Sequence, residues 1–305
     1  VNALLIINPR AGRRRNRDVA RLEDQLKLQD IQPETISALT RDQAIAGAKL
    51  ALSASAEKYQ LILVAGGDGT LNGVLSALLE VATPDAHLPP LGIIPFGTVN
   101  VLARELGIPM NREKAITVAR NGVPLPLDIG LFQGQPFILM AGIGFDGAVV
   151  RAVRPIAKSI FGPLAYVGEA LRLLFAYPLH KFKIACDGEI KEIPAWLVVV
   201  SNATTYAYKL CFSRETKIDD GRLDVCVFPD YGRINRLWQI FWLLCNRPQN
   251  CPLLYFSGRE VEIQVSPSAQ VQIDGDPGPA ITIGTFKSLT KKIQIMVPPG
   301  KGARS

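Results

Sequence analysis

Histidine is nearly missing from this 305-residue chain, which holds only His87 and His180. Two distant imidazoles rule out a histidine-rich metal centre and argue against a Ser-His-Asp nucleophile. Acid–base chemistry therefore falls to carboxylates. Cysteine is scarce and odd in number: Cys186, Cys211, Cys226, Cys245 and Cys251 are widely spread, with no C-x-x-C pair. That excludes a disulfide scaffold or a zinc site and reads as a reduced, cytoplasmic chain with buried thiols. No apolar run approaches the roughly 20 residues of a membrane span. The opening stretch Val1–Pro9 is too short an apolar run for a signal peptide and has no basic start, so none is expected. Acidic residues are outnumbered, 27 Asp+Glu against 34 Lys+Arg, for a net charge of +7. That balance favours anionic partners: phosphates, nucleic acid or an acidic membrane surface. Internal repeats and low-complexity linkers are not found.

What is present is a folded profile, 48% hydrophobic and 20% charged. The length suits two domains of roughly 150 residues each, and the pattern changes near residue 125. Before it, short apolar strands (Ala3–Ile7, Glu34–Leu39, Leu61–Ala65, Leu91–Pro95) alternate with helical spacing. Thr40 with Gln43 forms a capping box at the start of an Ala-rich helix. Leu71, Val74, Leu75, Leu78 and Leu79 mark a core-facing helix. This alternation predicts a mostly parallel sheet with helices on both faces. After Pro124 the pattern turns to strands and hairpins: 127–132, 136–141, 182–186, 189–193, 196–201, 223–228, 260–265 and 269–273, with helices near 164–177 and 234–245. Asp187-Gly188 is a strong hairpin signal. The expected division is an α/β domain over 1–125, an antiparallel β domain over 126–290, and a last strand and tail over 291–305 that could return to the first domain.

The chemistry is concentrated in glycine turns. Gly66-Gly67-Asp68-Gly69-Thr70 follows a predicted strand and opens a predicted helix. Its glycines allow close backbone approach, and the helix start offers N–H groups to a phosphate. An acidic residue in such a turn makes sense if Mg²⁺ accompanies a nucleotide; otherwise Asp-Gly simply shapes a tight turn. Asn8-Pro9-Arg10-Ala11-Gly12 and Gly97-Thr98-Val99-Asn100 lie at the same, carboxyl end of the predicted sheet, where open α/β sheets bind ligands. Arg13-Arg14-Arg15 adds positive charge, although basic runs are commonly solvated faces.

These turns, with Asp128-x-Gly130, Asp219–Asp224 and Asp274-Gly275-Asp276-Pro277, resemble the diacylglycerol kinase catalytic family in its bacterial lipid-kinase branch, in order along nearly the whole chain. The resemblance implies an α/β nucleotide-binding domain, a mainly antiparallel β-sandwich lipid-substrate domain and an active site in the cleft between them. It implies an ATP- and Mg²⁺-dependent kinase acting on a lipid hydroxyl such as that of diacylglycerol, at a membrane surface, with no nucleic-acid partner. ATP would be held by Asn8, Pro9, Arg10, Ala11, Gly12, Thr40, Gly66, Gly67, Asp68, Gly69, Thr70, Leu71, Asn72 and Thr98. Asp68 would act around the Mg²⁺–phosphate group, Asp128 would be a further functional carboxylate, and Asp276 would be the general base. The Asp220 loop would hold Mg²⁺, helped by backbone carbonyls of Lys217 and Arg222. Without the resemblance, Asp274–Pro277 and Asp219–Gly221 read as plain turns.

Three positions depart from the family pattern. Val101 follows Asn100 where many members carry Asp, Ala11 stands where a hydroxyl residue is common, and Asp276 replaces the usual Glu. The alternatives are a NAD kinase-like enzyme and a non-catalytic nucleotide- or lipid-binding regulator. Helix 234–245 carries Leu237, Trp238, Ile240, Phe241, Trp242, Leu243 and Leu244 between Arg233, Arg236 and Arg247. Its near all-round apolarity reads first as a core helix on the β domain. Trp with flanking Arg also suits an interfacial helix of a protein peripheral to the inner membrane surface.

Overall fold

The computed structural model describes residues 1–11, 17–81, 88–153, 163–174, 176–203, 205–206, 210–211, 217–245 and 247–300. The chain forms two compact units, Val1–Leu127 with Lys291–Ser305, and Asp128–Thr290.

In the first unit β1 (Asn2–Ile7), α1 (Arg17–Lys27), β2 (Gln32–Ser37), α2 (Arg41–Ser55), β3 (Leu61–Gly66), α3 (Asp68–Val81), β4 (Leu91–Pro95), α4 (Val101–Glu105) and α5 (Arg112–Asn121) follow in order. β2 pairs β1, β1 pairs β3 and β3 pairs β4, all parallel. Every residue of β3 and β4 is buried. Continuous apolar strands of this kind are what a parallel sheet covered on both faces demands. β2, Gln-Pro-Glu-Thr-Ile-Ser, is polar, half exposed and carries Pro33, as befits an edge. The core joins Leu5, Ile7, Leu22, Leu26, Leu63, Ile94, Ile116 and Met296. Half of the expected capping box forms at α2: Thr40 Oγ1 accepts from Gln43 N at 3.2 Å, whereas Gln43 Oε1 accepts from Leu39 N, one residue before the cap, at 2.7 Å.

β5 (Val123–Phe132) leads into the second unit. There follow β6 (Gln135–Phe137), β7 (Met140–Gly144), α6 (Phe145–Ala152), α7 (Pro163–Leu174), β8 (His180–Cys186), β9 (Glu189–Ser201), β10 (Thr205–Tyr206), β11 (Leu210–Cys211), β12 (Leu223–Pro229), α8 (Arg233–Leu244), β13 (Leu254–Gly258), β14 (Glu260–Ile273) and β15 (Asp276–Val297). Its ladders are antiparallel. β8 pairs both β9 and β14, and β7 pairs the same two strands further along, so the four close on themselves around an apolar core. β15 is shared: its first part pairs β14, and Ile295 pairs Leu91 of β4 in parallel within the first unit.

Two of the departures from the sequence expectation have a local physical cause. The strand expected over 136–141 is interrupted between Phe137 and Met140. There the main-chain N–H groups of Ile138, Leu139 and Met140 donate to the Asp274 carboxylate instead of a neighbouring strand. The second difference corrects the core-helix reading of α8. Its buried residues are Arg236, Gln239 and Leu243, while Ile234, Leu237, Trp238, Phe241 and Leu244 are exposed. Polar side chains face inward because the surroundings offer unpaired carbonyls. Arg236 Nη1 donates to Leu174 O (3.1 Å) and Tyr177 O (2.9 Å), and its guanidinium pairs with the buried Asp230. Gln239 donates to Pro229 O at 2.9 Å and accepts from Trp196 Nε1 at 2.7 Å.

Candidate active site

The apolar strand β3 ends in a turn that only glycine permits. A Cβ on Gly66 would lie 2.6 Å from Thr70 Cβ, and one on Gly97 would lie 2.5 Å from Gly67 Cα. The turns after β3 and β4 therefore touch backbone to backbone, joined by Phe96 N and Gly97 N donating to Gly66 O at 2.9 and 3.1 Å. Asn100, at a positive φ of 52°, locks the second turn: its Oδ1 accepts from Gly97 N (2.9 Å) and its Nδ2 donates to Gly97 O (2.8 Å). The α3 N-terminus opens at this junction, and its first N–H groups and dipole favour a phosphate. A small cavity below the turns is lined by Val64, Gly66, Gly67, Leu71, Ile93 and Asn100, among others.

Asp68 has a structural partner that the sequence did not indicate. Its two carboxylate oxygens accept from Val101 N (3.1 Å) and Leu102 N (3.3 Å), so it caps α4, and it stays half-buried at the lining of the cavity below the turns. Burial pushes its carboxyl up, against the pull of those main-chain donors. Val101, the departure from the family pattern, thus supplies its N–H to this cap.

Asn8 ties the β1 turn to the same junction. Its N donates to Ala65 O (2.9 Å), its Oδ1 accepts from Arg10 N (2.9 Å) and its Nδ2 reaches Thr70 Oγ1 at 3.4 Å. Pro9 and Ala11 are half-buried beside it, Arg10 and Thr98 are exposed, and Gly12, like Arg13–Arg15, lies outside the described residues. Thr40 acts as the α2 cap. Leu71 is a core side chain and Asn72 is buried, accepting from Arg41 Nη2 at 2.6 Å. Asn72 thereby holds α2 against α3. No Cβ contact arises at Gly69, which borders open space.

In the second unit Asp128 is buried and meets the predicted metal loop: Gly221 N donates to its Oδ2 at 2.5 Å, and Asp128 N donates to Ile218 O at 2.8 Å. Asp220 Oδ1 accepts from Arg222 N at 3.0 Å, and Lys217 is exposed at the loop's start. The donor set there is oxygen throughout, which suits a hard cation such as Mg²⁺. Among the described residues no three His, Cys, Asp or Glu side chains cluster for a metal. An ion would therefore rest on Asp220, the carbonyls of Lys217 and Arg222, and water.

Asp274 and Gly275, with φ of 49° and 85°, make the two-residue turn between β14 and β15. Asp276 opens β15 opposite Ile273 and is exposed. Behind the turn stand two residues the sequence reading did not single out. Gln272 Oε1 accepts from Gly275 N (2.6 Å), and its Nε2 donates to the buried Asp146 Oδ2 (2.8 Å). A signal was available: Gly142-Ile143-Gly144-Phe145-Asp146-Gly147 has the same strand–glycine–helix form as Gly66–Thr70. Asn202, also missed, is fully buried and donates to Asp128 O at 2.7 Å.

Comparison with known proteins places these features. The family model of the diacylglycerol kinase catalytic domain matches residues 2–132, and that of the YegS C-terminal NAD kinase beta sandwich-like domain matches residues 140–296. A diacylglycerol kinase of Bacillus subtilis (strain 168) is 30% identical, covering 98% of this chain and 97% of its own. The crystal structure of a diacylglycerol kinase from Bacillus anthracis str. Sterne superposes with a TM-score of 0.70 at 21% identity, covering 98% of this chain and 97% of that one. An NAD kinase from Archaeoglobus fulgidus, solved with ATP, shares the fold more distantly, with a TM-score of 0.54 at 14% identity over 99% of this chain and 95% of that one.

Proposed function

The chain belongs to the diacylglycerol kinase catalytic family, and from that premise we propose that it transfers the γ-phosphate of ATP to a lipid hydroxyl such as that of diacylglycerol. One observation carries the reading: the diacylglycerol kinase catalytic and YegS C-terminal domain models match, in order, within one chain that covers 97% of its Bacillus subtilis relative.

The acceptor oxygen attacks the γ-phosphorus, the bond to the β-phosphate oxygen breaks, and ADP leaves. Such transfer depends on positioning and charge stabilisation more than on covalent chemistry. The main-chain N–H groups at Gly67–Thr70 are our candidates for holding the phosphates, with Asp68 and Asn100 keeping the two glycine turns in register. Asn8, Arg10 and Thr98 border the same junction and complete the ATP site in this reading. Asp276 takes the proton of the acceptor hydroxyl. Its exposure leaves it reachable by substrate, and the Gln272–Asp146 pair steadies the turn that presents it. Mg²⁺ would neutralise the phosphate charge, with Asp220 and the carbonyls of Lys217 and Arg222 as its protein donors beside Asp128. Among the described residues no helix is long and apolar enough to cross a membrane. A lipid acceptor then calls for peripheral contact with the bilayer, and we place the enzyme on its cytoplasmic side.

The test is transfer of label from γ-labelled ATP to dioleoylglycerol in vesicles, with NAD and lipid-free controls. Label in the lipid supports the reading. Label in NAD alone would replace it with the NAD kinase alternative, and no transfer to any acceptor would favour the non-catalytic regulator.

A further inference from the structure

Helix α8 is inside out. On a soluble protein the apolar stripe of a helix faces the core and the polar stripe faces water. Here residues 236, 239 and 243 form the buried side, and Arg236 and Gln239 are committed to carbonyls and to Asp230. Ile234, Leu237, Trp238, Phe241 and Leu244, spaced i, i+3, i+4, i+7 and i+10, occupy the opposite side. Ile234 is 85% exposed, Leu244 69%, Trp238 51% and Phe241 50%. The aromatic rings form one cluster: Trp238 stacks on Phe241 at 5.9 Å, and Trp242 meets both edge-on at 5.4 and 5.3 Å. A contiguous exposed apolar surface of this kind marks an interaction site.

Charge identifies the occupant. Between Asp230 and Glu260 the sequence contains no acidic residue, while Arg233, Arg236, Arg247 and Arg259 fall within that span. Arg236 is buried against Asp230, so Arg233 and Arg247, at the two ends of the helix, are the exposed cations beside the apolar face. Amphipathic aromatic side chains flanked by arginine suit the headgroup boundary of an anionic bilayer, where apolar groups enter the acyl region and guanidinium groups stay with phosphates. We propose that the outer face of α8 docks this protein on an anionic lipid surface, with Trp238 and Phe241 entering the bilayer boundary. The proposal rests on the lipid-kinase reading for its biological sense, because an acceptor that lives in a bilayer must be met there. Its geometry stands apart from that reading.

The full-length protein is floated, without ATP, with vesicles of dioleoylphosphatidylglycerol or dioleoylphosphatidylcholine. Wild type should bind the anionic vesicles at least about tenfold better at low salt, an advantage that shrinks as salt rises because the attraction is screened over about 10 Å at 0.1 M. W238S/F241S should lose at least about tenfold in binding with an unchanged thermal midpoint, and R233Q/R247Q should lose mainly the salt-sensitive part. Brominated lipid should quench wild-type tryptophan fluorescence and quench W238F/W242F, whose one remaining tryptophan, Trp196, is buried, far less. This readout does not need the serine variant to fold. Wild-type flotation of W238S/F241S, or no quenching, overturns the proposal. So does a dimer that W238S/F241S dissociates while wild type ignores vesicles, which would make a second copy the occupant. Phosphorylation of short-chain dioctanoylglycerol is followed separately. Its absence alongside normal flotation and quenching would sink the kinase reading and leave the docking face intact.

Discussion

Asp274 holds three main-chain N–H groups at φ 49°, whereas Asp276, two residues on, stands exposed at the start of β15. Removing the first carboxylate leaves the donors of Ile138, Leu139 and Met140 without their acceptor, each costing on the order of 1 kcal/mol or more. Asp274→Ala should therefore lower stability by at least about 2 kcal/mol in urea unfolding, with activity falling as a consequence. Asp276→Asn should stay within about 0.5 kcal/mol of wild type, as exposed substitutions do, and cut turnover by at least about 10²-fold, the usual scale of general-base catalysis. Near-normal turnover in Asp276→Asn would remove it as the base. Parity along an extended strand could not tell these two aspartates apart in the sequence, because the turn at Gly275 breaks it. What separates them is which one meets the backbone of residues 138–140, a contact more than 130 positions away in the chain. Asp68 belongs at this scale too. Asp68→Ala removes the α4 cap and should cost about 1 kcal/mol and abolish turnover, since the Gly97 turn packs on Gly67. Wild-type turnover in a folded Asp68→Ala protein would show that this junction is not where phosphate is handled.

Elements fix what those residues can reach, and α8 shows both the reach and the limit of sequence patterning. Its apolar spacing predicts a helix over 234–245, within one residue of the observed Arg233–Leu244. Which side faces inward was not legible. Periodicity assumes that the interior prefers apolar groups, whereas here the interior presents the carbonyls of Leu174, Tyr177 and Pro229. The glycine turns were legible because positive φ, close approach and helix-start chemistry are local properties. Asp230 is the test of the inverted packing. Burial raises its carboxyl, but hydrogen bonds from Arg236 and Gly232 outweigh that and leave it below the ordinary carboxylate value. A lowered folded value means the pair's stabilisation is present above about pH 4 and is lost as pH falls through the folded value. Near-UV circular dichroism, which senses Trp196 against Gln239, should thus show an acid step below about pH 4. Asp230→Asn should lack that step and, by leaving a buried guanidinium without its counter-ion, lose about 3 kcal/mol at neutral pH. An unchanged acid step in that variant would mean another carboxylate controls it.

At the scale of the whole molecule the chain leaves its first unit after Leu127 and returns to it at Lys291. Fold class was readable from the switch between strand–helix alternation and hairpins, because the two periodicities differ. The ring of β7, β8, β9 and β14 was not, since β9 and β14 each run past the points where the sequence suggests a break and change partner on the way. The returning strand carries the sharpest expectation about foldability. Ile293, Ile295, Met296 and Val297 are buried in the first unit, Ile295 pairs Leu91, and Met296 joins the core with Leu63 and Ile94. Burying side chains of that size contributes roughly 1.5–3 kcal/mol each. Four of them together rival the whole stability of a typical domain, about 5–15 kcal/mol. Without them β4 also becomes an unpaired apolar edge, a template for aggregation. A chain ending at Thr290 should therefore fail to keep its first unit folded even though it retains every residue from Asn8 to Asn100 that surrounds the glycine turns. It should be recovered as aggregate and bind no ATP analogue by calorimetry. Supplying residues 291–300 as a separate peptide should restore some binding if the loss lies in the missing strand. A soluble truncated chain that binds ATP like the full-length protein would show that the returning strand is dispensable.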